Sequence, residues 1–145
     1  MTLFDTNIAI YAYRAESRDH GFYLDWFNNV HKAGEVFFYS EWVLSSFIRI
    51  VTNPRIFPEP SPVNEAFRFA DRIRDHPRTI RALPGPNHWS LFRTLCERTQ
   101  AQGKLVPDAY LAALAIDLNA EWITADNDFA MFEPDLRWRL LRPSN

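Results

Sequence analysis

The stretch Leu105–Phe129, LVPDAYLAALAIDLNAEWITADNDF, constrains the fold more than any other part of the chain. Pro107 is pre-set for a first helical turn, and Asp108 beside it faces the positive end of the helix dipole. Leu111, Ala112, Leu114, Ala115 and Leu118 then recur at helical spacing, with alanines that let the helix lie close to a sheet. A strand from Glu121 to Ala125 and a turn carrying Asp126 and Asp128 are predicted to follow. A helix returning the chain to a parallel strand begins at the sheet edge where strands end. Asp108 and Asp126 are therefore predicted on one edge, the edge where open α/β sheets receive ligands.

The remaining chain repeats this alternation. Thr2 to Phe4 reads as a short strand that delivers Asp5-Thr6-Asn7 to a helix starting near Ile8, and a second helix is predicted over Ser17 to Lys32. Val36 to Tyr39 is dense in aromatic and β-branched residues, as strands are. Ser40 caps a helix from Glu41 to about Thr52 whose buried stripe is Val43, Leu44, Phe47, Ile48 and Val51. The proline-rich Asn53 to Pro62 is predicted as a surface loop. A helix from Pro62 or Val63, a strand over Thr79 to Leu83, a helix from Asn87 to about Ala101 and a final strand over Trp138 to Leu141 complete the pattern. After Asp128, Phe129 to Phe132 form at most one helical turn. Strands alternating with helices imply an α/β fold with a mainly parallel sheet.

A length of 145 residues and a hydrophobic fraction of 47% suit a single domain spanning residues 1–145 with one core. Cys96 is the only cysteine, so an internal disulfide and a cysteine zinc site are excluded, and a reducing, cytoplasmic setting is expected. No apolar run reaches the length of a membrane span. The formal charge of -2 conceals an asymmetry. With Asp5, Glu41, Asp108, Asp126 and Asp128 set aside the rest of the chain is net positive, and apart from Lys32 and Lys104 that charge is arginine, which forks onto phosphate.

Topology gathers the acids. Asp5 ends the first strand, Glu41 follows the second, Asp108 opens the helix before the fourth and Asp126 ends the fourth. Taken singly, Asp5 reads as a helix N-cap and Glu41 as a first-turn acid. Together, such carboxylates repel one another unless a cation is present. Oxygen-only ligands point to Mg²⁺, with Mn²⁺ as a substitute, rather than zinc. An ion held so can activate water against a phosphodiester, which suits hydrolysis of a nucleic-acid backbone.

LFDTN, the Glu41 helix, LVPDAYLAALAI and TADNDFAMF resemble the motifs of the PIN domain, in the arrangement of VapC-type ribonuclease toxins of bacterial toxin-antitoxin systems. The DTNIAIYAYRAESRDH opening, the NPRIF loop and the closing LRW are similar to one subgroup of them. The resemblance implies a PIN-like α/β/α sandwich and a Mg²⁺-dependent endoribonuclease. Its metal-binding and catalytic acids fall on Asp5, Glu41, Asp108 and Asp126, with Asp128 on a further acidic position and Thr6, Asn7 and Thr124 on polar supporting positions. It also implies an RNA substrate, a homodimer, and a cognate antitoxin whose C-terminal segment covers the acidic pocket. Where such toxins often carry a basic residue, this chain has Met131.

Other readings of the same residues are a metal-dependent DNA nuclease and a non-catalytic module that captures a basic peptide in the acidic pocket. Chelation separates the last from the enzymes. His20, His31, His76 and His88 are scattered without metal-ligand spacing or a nucleophile partner, which favours structural roles. The tryptophans read as core or dimer interface, and substrate selectivity is expected in the Asn53 to Pro62 loop and the dimer groove.

Overall fold

The computed structural model describes residues 1–144; Asn145 and the side chain of His31 lie outside the described residues. Five strands form one sheet in the order β3-β2-β1-β4-β5, namely β1 (Thr2–Phe4), β2 (Phe37–Tyr39), β3 (Thr79–Arg81), β4 (Glu121–Thr124) and β5 (Trp138–Leu140). All four pairings are parallel. The sheet is thus wholly parallel, where the sequence predicted a mainly parallel one.

Parallel neighbours require crossovers, and helices supply them. They are α1 (Thr6–Tyr13), α2 (His20–Lys32), α3 (Glu41–Val51), α4 (Val63–Arg74), α5 (His88–Thr99) and α6 (Leu105–Asp117), with a 3₁₀ segment at Asn127–Phe132. The chain steps outward from β1 to β3 through α1–α4, then recrosses to β4 through α5 and α6. Right-handed crossovers place these two helix sets on opposite faces, giving an α/β/α sandwich. Packing agrees: α1 meets α2 and α3, α3 meets α4, and α5 meets α6. The strand order reverses beside β1, so the switch point lies between β1 and β4, where ligands bind in open α/β sheets.

The predicted elements are present with shifted ends. α1 begins at Thr6 because Asp5 caps it directly, its carboxylate accepting from the Thr6 amide at 2.7 Å. α2 begins only at His20, since Asp19 adopts a left-handed conformation at φ 60° that breaks the helix. α6 opens two residues before Pro107, at Leu105. Pro107 then lies in the first turn, where its missing N–H costs no intrahelical bond. Ser40 caps α3 as predicted, its hydroxyl accepting from the Val43 amide at 3.4 Å.

The core joins Leu3, Phe4, Ile8, Phe47, Leu114, Trp122, Ile123, Phe129 and Phe132, all fully buried. Phe47 of α3 sits between Tyr13 and Phe69, with ring centroids 5.2 Å from each, and thereby fastens α1 and α4 to α3. Cys96 is partly buried and its thiol is pushed up by burial, consistent with an inert packing residue. Among the described residues no helix is long and apolar enough to cross a membrane.

The Asn53 to Pro62 segment is a loop, as predicted, and Arg14 holds it. The guanidinium donates to the Glu59 carbonyl and the Ser61 hydroxyl, each at 2.9 Å, and lies 4.2 Å above the Phe57 ring centre. This loop lines a separate hollow of about 800 Å³ with Tyr13, Arg14 and Glu16. It is absent from the lining of the acidic pocket below. Phe47→Ala should empty a fully buried ring site and cost about 3 to 5 kcal/mol. Urea denaturation with unchanged secondary structure at zero urea would test this.

Candidate active site

Asp5 leaves β1 at the switch point, and its surroundings hold it there. Its backbone amide donates to the Ile123 carbonyl at 2.8 Å, extending the β1–β4 pairing by one step. Its side chain accepts from the Thr124 hydroxyl at 2.7 Å and from Asn7 Nδ2 at 3.4 Å, besides the Thr6 amide. Thr124 Oγ1 also accepts from the Asp126 amide at 3.0 Å, and Asn7 Oδ1 from the Ala125 amide at 3.3 Å. The carboxyl end of β4 is thus stapled to the start of α1. Thr124 and Asn7 hydrogen-bond Asp5 through their side chains. Thr6 does so through its backbone amide.

Asp5, Asp108 and Asp126 line one pocket of about 260 Å³, together with Thr6, Asn7 and Lys104. Burial raises the Asp5 carboxyl to about 6, and Asp108 and Asp126 push the same way against the Thr124 and Thr6 hydrogen bonds. Burial also raises Asp108, with Lys104 opposing. For Asp126 burial acts upward too, but the Lys104 hydrogen bond and the Asp128 amide outweigh it and its carboxyl lies below the usual range.

Lys104 is the counter-charge of this cluster. Its Nζ lies 2.7 Å from Asp126, 3.5 Å from Asp108 and 3.7 Å from Asp128. Its own pKa is raised, chiefly by the hydrogen bond to Asp126. At 3.5 Å the contact with Asp108 is an ion pair without a hydrogen bond, and Asp108 Oδ2 is buried with no hydrogen-bond partner. The side chain of Asp128 is mostly exposed and reaches the cluster only through Lys104.

Among the described residues no three acids, histidines or cysteines stand close enough to hold one ion jointly. The donors nonetheless fit a hard divalent cation. Mg²⁺ keeps several waters and needs only one or two carboxylates, the pocket presents carboxylate oxygens, and Asp108 Oδ2 is a buried acceptor without a hydrogen bond, faced by Lys104 Nζ at 3.5 Å.

Glu41 does not line this pocket. It starts α3 on the same sheet edge, yet its carboxylate pairs with Arg81 of β3 and, at 3.1 Å, with Arg74 of α4. Helical geometry gives the reason. Glu41, Leu44, Ser45 and Ile48 face α4, where they line a different hollow, whereas Trp42, Ser46, Arg49 and Ile50 face the acidic pocket. One residue along a helix turns the side chain by about 100°. Placing Glu41 at the right end of the right helix therefore left its direction open. Sequence reasoning also missed Lys104, Ser46 and Arg49; the i,i+4 spacing of Lys104 and Asp108 was the available signal.

His20, His76 and His88 have structural partners. His20 Nδ1 lies 2.9 Å from the Tyr11 carbonyl, and buried His88 places Nε2 3.0 Å from the Tyr110 carbonyl. The Arg78 amide donates to His76 Nδ1 at 3.1 Å.

A parallel five-stranded sheet with carboxylates at its switch point is the arrangement of the PIN domain, and the PIN domain family model matches residues 2–133. The chain belongs to that family. Relatives include ribonuclease VapC43 of Mycobacterium tuberculosis strain H37Rv, 39% identical and covering 96% of this chain and 94% of the relative. Ribonuclease VapC31 of the same strain is 39% identical, covering 91% and 93%. Among solved structures, VapBC2 from Rickettsia felis bound to a promoter DNA fragment has a TM-score of 0.67 at 18% identity, covering 95% of this chain and 96% of that one. FitAcB from Neisseria gonorrhoeae has a TM-score of 0.60 at 15% identity, with the same coverage.

An acid held above its free value binds a proton more tightly when folded. For Asp5 folding stability should therefore fall as pH rises from 3.8 to about 6, and the cost, up to about 3 kcal/mol, is complete above that window. In chelator, Asp5→Asn should flatten this decline and raise stability at pH 7. Urea midpoints from pH 4 to 7.5 that fall equally in both proteins would contradict it.

Proposed function

We propose that this chain is the endoribonuclease of a toxin-antitoxin pair and that it hydrolyses RNA at the pocket formed by Asp5, Asp108 and Asp126. The observation that carries the site is the buried Asp108 Oδ2, which has no hydrogen bond, in one pocket with two further carboxylates at the switch point. The ribonuclease names of relatives at 39% identity over nearly the whole chain support the activity. A cognate antitoxin is the partner that the VapC naming of those relatives supports. The cytoplasm, where RNA and the single reduced cysteine are both at home, is the expected location.

In this reading Mg²⁺, which Mn²⁺ can replace, sits in the pocket of Asp5, Asp108 and Asp126, held by one or two of these carboxylates and completed by water. When bound, the ion activates water and stabilises charge on the phosphodiester. The protein's own residues prepare the pocket. Thr124, Asn7 and the Thr6 amide orient Asp5, and such supports aim a ligand and tune its basicity. Lys104 keeps Asp126 ionised. Asp128 adds negative charge at the rim rather than a buried ligand. Glu41 braces α3 against α4 and β3 and stands outside the ion's ligand set. The chain is proposed to act as a single domain.

Exposed Trp42, Trp89 and Val106 support the homodimer implied by the resemblance, since large apolar side chains clustered on a surface mark association sites. Sedimentation should give a mass near twice 17.0 kDa; a monomer at micromolar concentration would remove the dimer.

Purified protein should cut total cellular RNA into discrete fragments in Mg²⁺ and stop in chelator. Asp108→Asn should lower the rate by about 100-fold or more. Glu41→Gln should keep the rate within a few-fold and cost less than about 1 kcal/mol of stability, as half-exposed ion pairs do. Loss of cleavage in Glu41→Gln equal to that in Asp108→Asn would return Glu41 to the ligand set. Intact cleavage in chelator would refute the metal mechanism.

A further inference from the structure

α3 presents three faces. Val43, Leu44, Phe47 and Val51 enter the core, Glu41, Ser45 and Ile48 meet α4, and Trp42, Ser46, Arg49 and Ile50 form a wall of the acidic pocket. Spacings of four, three and one residues place that third set on one helical stripe. Arg49 is its only charged member.

The positive charges around this region are otherwise committed. Lys104 is shared among Asp126, Asp108 and Asp128, and Arg74 and Arg81 are held by Glu41. Arg49 is exposed, and among the described residues its guanidinium has no hydrogen bond or ion pair. The acids across the pocket do not capture it, being tied to Thr124, the Thr6 amide and Lys104. A guanidinium facing a carboxylate pocket yet bonded to none of it keeps its donors for an incoming anion.

We infer that Arg49 binds a phosphate of the RNA strand that enters the Asp5, Asp108 and Asp126 pocket, and that it is a substrate-binding residue of this enzyme. This rests on the ribonuclease reading. Arginine suits the task because its planar fork offers paired donors to phosphate oxygens. It also resolves an electrostatic difficulty, since a polyanion approaching an acidic pocket needs a cation that the pocket has not already neutralised. The bland role for a basic residue in the last turn of a helix is to complement the helix dipole, an effect on stability alone.

Binding separates the two roles. Asp108→Asn and the double variant Asp108→Asn with Arg49→Ala are compared in Mg²⁺ for binding of a fluorescein-labelled single-stranded RNA 12-mer across a range of salt concentrations. Loss of one charge-assisted phosphate contact should weaken binding about tenfold and lower the slope of log K against log salt by about 0.7. Thermal midpoints should stay together, and Arg49→Lys should recover the salt slope but only part of the affinity. Equal affinity and equal slope in the Arg49→Ala protein, with cleavage by the unmutated chain intact, would overturn the assignment and leave the ribonuclease reading standing. A drop in thermal midpoint without a change in slope would also overturn it, in favour of the helix-dipole role. Failure of the unmutated chain to cleave RNA, and of both variants to bind it, would remove both.

Discussion

The pairing of β1 with β4 is the constraint on which the site depends. Sequence-distant strands are locked in register by Thr2 opposite Glu121, Leu3 opposite Trp122 and Phe4 opposite Ile123, and the Asp5 amide continues the ladder to the Ile123 carbonyl. Because side chains alternate along a strand, a slip of one residue would turn Asp5 away from Thr124 and Thr124 away from Asp5. Buried Leu3, Phe4, Trp122 and Ile123 make that slip costly, since each would exchange core for another face. The hydrophobic register and the carboxylate geometry are the same constraint.

Holding acids at such a place is unfavourable, and the structure offsets the cost locally. Thr124 gives its proton to Asp5 and takes one from the Asp126 amide, so one hydroxyl serves both ends of the pocket. Lys104 balances three carboxylates from one turn before Asp108. What remains unbalanced is informative. Asp5 is pushed up to about 6 by burial, and Asp108 Oδ2 has no hydrogen-bond partner. Buried polar groups are otherwise paired, and exceptions at a sheet switch point mark a ligand site. The stability lost there is recovered in the aromatic core, where Phe47, Phe69, Tyr13 and Phe27 interlock the first four helices.

The outer faces divide labour along single helices. α3 alone serves the core, the Glu41 ion-pair brace and the pocket wall. That division explains why an acid at its first residue pairs with Arg74 and Arg81 while residues at its sixth and ninth positions, Ser46 and Arg49, meet the pocket. It also separates the Asn53 to Pro62 loop, bound to Arg14 at the far end of α1, from the carboxylates at its near end.

The sequence by itself determined the alternation of strands and helices, a mainly parallel sheet, and the acids that end β1 and β4 and open α6. Those features are local: periodicity, capping residues and strand ends act over a few neighbours and leave a trace in order and spacing. Tertiary structure alone decided the direction of Glu41, the placement of Lys104 among three acids, and the aim of Arg49. Each of these depends on which side chains of other elements pack beside it, and ion pairs between Glu41 and Arg74 or Arg81 have no signature in sequence spacing. A helix end can be read from a few residues, but the angle at which its side chains leave depends on what packs beside it.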